Sequence, residues 1–133
     1  MFFKSLFPAL LWALFILIIC GIPGQHLPRL DFWKWVRPDK LVHLFVFAVL
    51  CYLLINGFVK QERLNLFRKN PKLCAVLLSI SYGIVIECLQ EYVFIDRTGD
   101  VRDAIANSIG AFAGLWCFNL LQKKRLHRNS TSS

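Results

Sequence analysis

Four apolar runs, near residues 6–22, 41–59, 73–93 and 102–121, constrain the fold of this chain more than any other feature. Each is close to the ~20 residues a helix needs to cross the hydrocarbon of a bilayer. The charged residues fall almost entirely between the runs. A helix in a soluble bundle keeps one polar face toward water, and these runs have none. Composition agrees, since 56% of the residues are apolar and 12 are Phe, and 133 residues allow one domain at most. The sequence therefore predicts an all-α, four-span transmembrane helical bundle, a single domain over residues 1–128 with a disordered polar tail at 129–133.

A formal charge of +8 would suit nucleic acid, but its placement argues otherwise. Ten Lys/Arg precede span one, join spans two and three, or follow span four, against six in the two other connections. The richer side of a membrane protein faces the cytoplasm. Both termini are expected there, with the basic loop and tail against anionic lipid and no nucleic acid bound. The segment 25–38 mixes Phe32, Trp33 and Trp35 with Arg29, Lys34 and Arg37, as expected of chain lying at headgroup level. Trp12 sits too deep for such a belt and is expected to pack against another helix. The five cysteines have no metal-ligand or CxxC spacing and read as small packing residues.

The chemistry lies in a few polar residues where hydrocarbon should be. Glu87 and Gln90 fall near the end of span three, three residues apart and on one helix face. After a short loop with Arg97 and Asp100, span four opens with Asp103 and Asn107, four apart and again on one face. Span two opens with Asp39, one turn above His43. Ionisable groups inside membrane helices are costly and mark function when partners can be named. The topology puts all of these residues in one outer layer, with Glu87 roughly 8–10 Å from the end of its helix at about 1.5 Å per residue. One outward-open polar pocket of His43, Glu87, Gln90, Arg97, Asp103 and Asn107 is expected. Its bland competitor is a buried pair, Glu87 with Arg97 or Arg102, that only satisfies itself; for Asp39 the competitor is a helix cap, and for His43 interhelical glue. A histidine and carboxylates in one layer suit proton transfer, and an arginine fork suits phosphate or carboxylate. A divalent cation held by His43 and the carboxylates is a further alternative, but the HExxH and DxD-type spacings that would strengthen it are absent, so neither a metal nor any other cofactor is predicted. Gly83 leaves a groove for a neighbouring backbone, and Ala106, Gly110 and Gly114 form a small-residue ridge for helix packing, within the chain in preference to dimerisation.

Asp39-Lys-x-x-His43, Glu87-x-x-Gln90, then Arg97, Asp100, Asp103, Asn107, Gly110 and Gly114 together resemble the VanZ-like family of small bacterial membrane proteins. The likeness runs from about Asp39 to Gly114; relatives often carry a proline before Arg97, where this chain reads Phe94-Ile95-Asp96. The resemblance implies a bacterial envelope protein, the family's first member being linked to teicoplanin resistance, and it implies no particular reaction. Two function classes follow. In an enzyme acting on a lipid-linked or cell-wall precursor, His43, Glu87 and Asp103 are the candidate catalytic residues, with Asp39, Gln90, Arg97, Asp100 and Asn107 binding substrate. In a non-enzymatic accessory protein the same cluster holds a lipid headgroup, glycopeptide or partner, or is structural.

Overall fold

The computed structural model describes residues 2–22, 38–61, 64–95 and 97–130, with backbone alone at 2, 3, 38 and 39. Expectations for the aromatic connection at 25–37, for the Asp39 side chain and for residues 131–133 lie outside the described residues. Five helices follow one another: α1 (Phe2–Gly21), α2 (Pro38–Lys60), α3 (Asn65–Lys69), α4 (Pro71–Tyr92) and α5 (Val101–Ser130). All but α3 are long and apolar enough to cross a membrane, so the protein is a membrane protein of four spans.

The ends of the helices follow local chemistry. Pro71 stands in the first turn of α4, where a missing N–H costs little. Asp100 caps α5: its Oδ1 accepts the Arg102 N–H at 2.8 Å, and its carbonyl accepts the N–H of Asp103. Two ends differ from the sequence reading. The basic connection contains the short helix α3, and α5 runs past Leu121 to Ser130, taking in Asn129 and Ser130 of the expected tail. Residues 121–130 are all exposed, so this last stretch of α5 touches none of its neighbours extensively and needs no apolar stripe to continue.

Helix α2 is the centre of the bundle, with Phe47, Cys51 and Ile55 fully buried. Two apolar clusters fill the interior at different depths. Ile16, Cys20, Val46, Phe47, Leu50 and Ile86 lie toward the end where α2 begins; Leu6, Cys51, Ile55, Phe58, Ala75, Val76, Ala111 and Phe118 lie toward the other. Outward faces carry large apolar residues on every span, among them Phe15, Phe45, Ile84 and Trp116. Polar residues thus go inside and apolar ones outside, because the solvent here is hydrocarbon. The buried stripe of α4 includes Ser79, Gly83, Glu87 and Gln90, and that of α5 includes Asp103, Ala106, Asn107, Gly110 and Gly114.

Helices α2 and α5 approach most closely. A Cβ at Gly110 would run into the Leu44 carbonyl oxygen, and one at Gly114 into that of Ala48. The small-residue ridge therefore faces α2 of the same chain, and Gly83 of α4 rests against Asn107 and Phe47. Helix α1 is held differently, by side-chain donors that reach backbone carbonyls in both directions. Tyr82 donates to the Ala13 carbonyl at 2.6 Å, and Trp12 Nε1 donates to the Val46 carbonyl at 2.8 Å. Such bonds suit a medium with no water to compete for them.

Candidate functional site

At the end of the bundle where α2 and α5 begin and α4 stops, charged and amide side chains from three helices meet. His43 comes from α2, Glu87 from α4, and Asp103 and Asn107 from α5; all four are buried. Asn107 is the bridge. Its Nδ2 donates to Glu87 Oε1 at 3.4 Å, which turns its Oδ1 toward His43 Nδ1 at 2.9 Å. In that arrangement the imidazole carries its proton on Nδ1. His43 Nδ1 also lies 3.8 Å from Glu87 Oε1. The second Glu87 oxygen accepts the Asp100 N–H at 3.0 Å, so the carboxylate is fixed at both ends. Close packing of Gly83 on Asn107 is what lets α4 and α5 bring these groups within reach.

Lys40 completes the cluster, a residue the sequence reading passed over. Its Nζ lies 2.5 Å from Asp103 Oδ1 and 3.3 Å from Asp100 Oδ2. A signal was present in the sequence: a cation in the first turn of a helix opposes the helix dipole, so it calls for a carboxylate close by. Lys40 also stands three residues before His43 and shares its face. Asp100 lies just before α5 and is partly exposed, and its carboxyl sits below the usual aspartate range, first through the Arg102 backbone N–H and then through Lys40. Its geometry makes it a helix cap and a partner of Lys40.

The expected single pocket of six residues divides in two. His43, Glu87, Asp103 and Asn107 pack directly on one another. Gln90 and Arg97 line a small crevice of about 30 Å³ between α1, α2 and α4 that His43 also lines. Both residues reach carbonyls at the end of α1: Gln90 Nε2 donates to Cys20 at 3.2 Å and Arg97 Nε to Ile22 at 2.9 Å. Among the described residues no carboxylate lies within ion-pairing distance of Arg97, and the Glu87–Arg97 and Glu87–Arg102 pairs considered from sequence do not form. Glu91, also unforeseen, accepts the Gly99 N–H at 2.9 Å and ties the connecting loop to α4. His43, Glu87 and Asp103 each offer one ligand atom, all within 4.8 Å of one another, a set able to hold a divalent cation. Lys40 competes for that role at Asp103, where its ammonium already supplies positive charge.

With the geometry established, comparison with known proteins is informative. A family model described as VanZ/LLP1 matches residues 2–122, most of the chain. The chain belongs to the VanZ/LLP1 family. The match takes in α1, for which the sequence resemblance had been one of kind only, and it spans every helix that contributes to the cluster. No match was found among curated proteins or among solved structures. For this VanZ/LLP1 protein the chemistry must therefore be argued from the side chains themselves.

Proposed function

We propose that this VanZ/LLP1 protein resides in the bacterial cytoplasmic membrane with both termini inside, and that its polar end faces outward and binds an anionic, lipid-linked or cell-envelope molecule. The observation that carries the reading is the meeting of His43, Glu87 and Asp103 within 4.8 Å. Beside it stands a guanidinium, that of Arg97, with no carboxylate partner among the described residues. Hydrocarbon makes such a concentration of charge costly unless it serves a purpose. Arg97 has four N–H donors beyond the one given to Ile22, enough for a bidentate grip on phosphate or carboxylate. In an enzymatic version, Glu87 or His43 takes a proton and Asp103, held by Lys40, keeps the pair oriented. A link to glycopeptide (teicoplanin) resistance belongs to the same proposal, through removal or alteration of an envelope precursor.

A second reading has its own support. Lys40 with Asp103 and Asp100, and His43 with Asn107 and Glu87, satisfy one another's donors and acceptors. A cluster closed in this way can be a structural clasp in a non-enzymatic accessory protein.

Native mass spectrometry of protein purified from bacterial membranes separates the two. Binding predicts a retained anionic molecule that Glu87→Gln and His43→Ala lose at normal protein levels. A clasp predicts folded protein without retained ligand in the wild type. Orientation is tested in a cysteine-free background carrying Asp31→Cys. An impermeant thiol reagent labels it in intact cells if the polar end faces out; labelling only after permeabilisation reverses the assignment.

A further inference from the structure

The crevice beside His43 has the layout of a lipid, apolar along one length and basic at one end. Ile16 and Ile19 of α1 and Val42 and Val46 of α2 supply its apolar lining, and His43, Gln90 and Arg97 its polar lining. Val42 is half exposed and forms the lip toward the surroundings of the bundle, while Ile16 and Val46 are buried at its floor. At about 30 Å³ the space admits only a few atoms as it stands. An occupant of any length must therefore run out past Val42 into the bilayer, or α1 must yield.

Helix α1 is the span best suited to yield. It packs mainly on α2, and six of its large apolar side chains, from Phe7 to Ile18, are exposed. At this end it is held by Gln90 on the Cys20 carbonyl and Arg97 on the Ile22 carbonyl. The Cys20 carbonyl belongs to the last turn of α1, and the Ile22 carbonyl lies just beyond it. The residue that holds the helix end is thus also a guanidinium with no carboxylate partner among the described residues. Lys40, by contrast, has two carboxylates within 3.3 Å. A guanidinium in a medium of low polarity gains most from an oxyanion close by.

We infer that this crevice holds the alkyl stem of a phosphate-headed membrane lipid, its phosphate on Arg97 and its chain between α1 and α2, entering sideways from the bilayer. This rests on the anionic-ligand reading above and narrows it to a class, a lipid phosphate in place of a soluble one. The chain supplies apolar contact with Ile16, Ile19, Val42 and Val46, and the phosphate gives the Arg97 guanidinium an oxyanion to grip. A phosphate that draws Arg97 from the Ile22 carbonyl also loosens the end of α1, which widens the entrance the chain uses.

The test uses the full-length protein in neutral detergent micelles and phosphatidic acid carrying a photoactivatable diazirine in its acyl chain. Light is expected to mark peptides containing Ile16–Ile19 and Val42–Val46. Val42→Trp fills the lip from a position that already faces outward, so folding is preserved, and is expected to cut labelling by about tenfold or more. Arg97→Gln is expected to do the same, and inorganic phosphate in large excess is expected to compete poorly. Undiminished labelling in Val42→Trp, full competition by inorganic phosphate, or label spread evenly over outward faces overturns the proposal. Loss of labelling in Arg97→Gln alone, with Val42→Trp unchanged, also overturns it, because the phosphate is then bound without the chain in the crevice. Failure here is distinct from failure of the wider reading, which is measured by ligand retention in Glu87→Gln and His43→Ala.

Discussion

The Lys40 ammonium of α2 and the Asp103 carboxylate of α5 lie 2.5 Å apart, joining the first turns of two helices 63 residues apart in sequence. Asp103 is only 8% exposed on its side chain, whereas Lys40 keeps 26% of its own in reach of the surroundings. The pair therefore has one end anchored and one end at the edge, and removing Lys40 strands a carboxylate inside the bundle.

Lys40→Met is expected to destabilise the protein by about 1–3 kcal/mol, the cost of leaving a buried polar group without its partner. Asp103→Asn added to Lys40→Met should recover much of that loss, since no unpaired charge remains. Thermal unfolding in detergent of the two single variants and the double variant measures the coupling. Additive losses would show that the pair does not interact.

Asn107 is the sole amide joining His43 to Glu87 among the described residues, and it is fully buried. Asn107→Leu keeps its bulk and removes both bonds, with an expected loss of about 1–2 kcal/mol. The 15N chemical shift of His43 Nδ1 should also move, because its hydrogen-bond partner is gone. An unchanged Nδ1 shift together with an unchanged melting temperature would contradict the bridge.

Gly110 and Gly114 set the distance between α2 and α5. Gly110→Ala places a methyl group against the Leu44 carbonyl, and the backbones must part. The expected cost is about 1–3 kcal/mol, as for other overpacked interiors, against a small effect for Ala113→Ser on the neighbouring, partly exposed face. Equal melting temperatures for Gly110→Ala and the wild type would mean that the helices stand farther apart.

Acid should weaken the cap of α5. The Asp100 carboxyl is held below the ordinary aspartate value of 3.8 by the Arg102 N–H and by Lys40. A group lowered in the folded protein stabilises it above the unfolded value, and that contribution disappears as pH falls through the folded value. Asp100→Asn should therefore lower the melting temperature at neutral pH and flatten its fall below pH 3.8. Parallel curves for the variant and the wild type would remove Asp100 from the acid response.

The membrane class was legible in the sequence because the bilayer imposes a length and a polarity that each span must meet alone. The common level of His43, Glu87, Asp103 and Asn107 was legible too, since helical rise and alternating span direction place residues by depth. Rotation about each helix axis, and the direction in which each side chain reaches, were not. Lys40 looked like part of a basic connection until α5 brought Asp103 beside it, and a Glu87–Arg97 pair stayed an alternative until Arg97 was found at the end of α1. Sequence alone determined what crosses the membrane and at what depth the polar residues stand, because hydrocarbon acts on one helix at a time. Only the packing of α1, α2, α4 and α5 decided which charges pair and which side of His43 is left open. Those choices depend on contacts between helices far apart in the chain, where one glycine sets the distance and one amide sets the orientation.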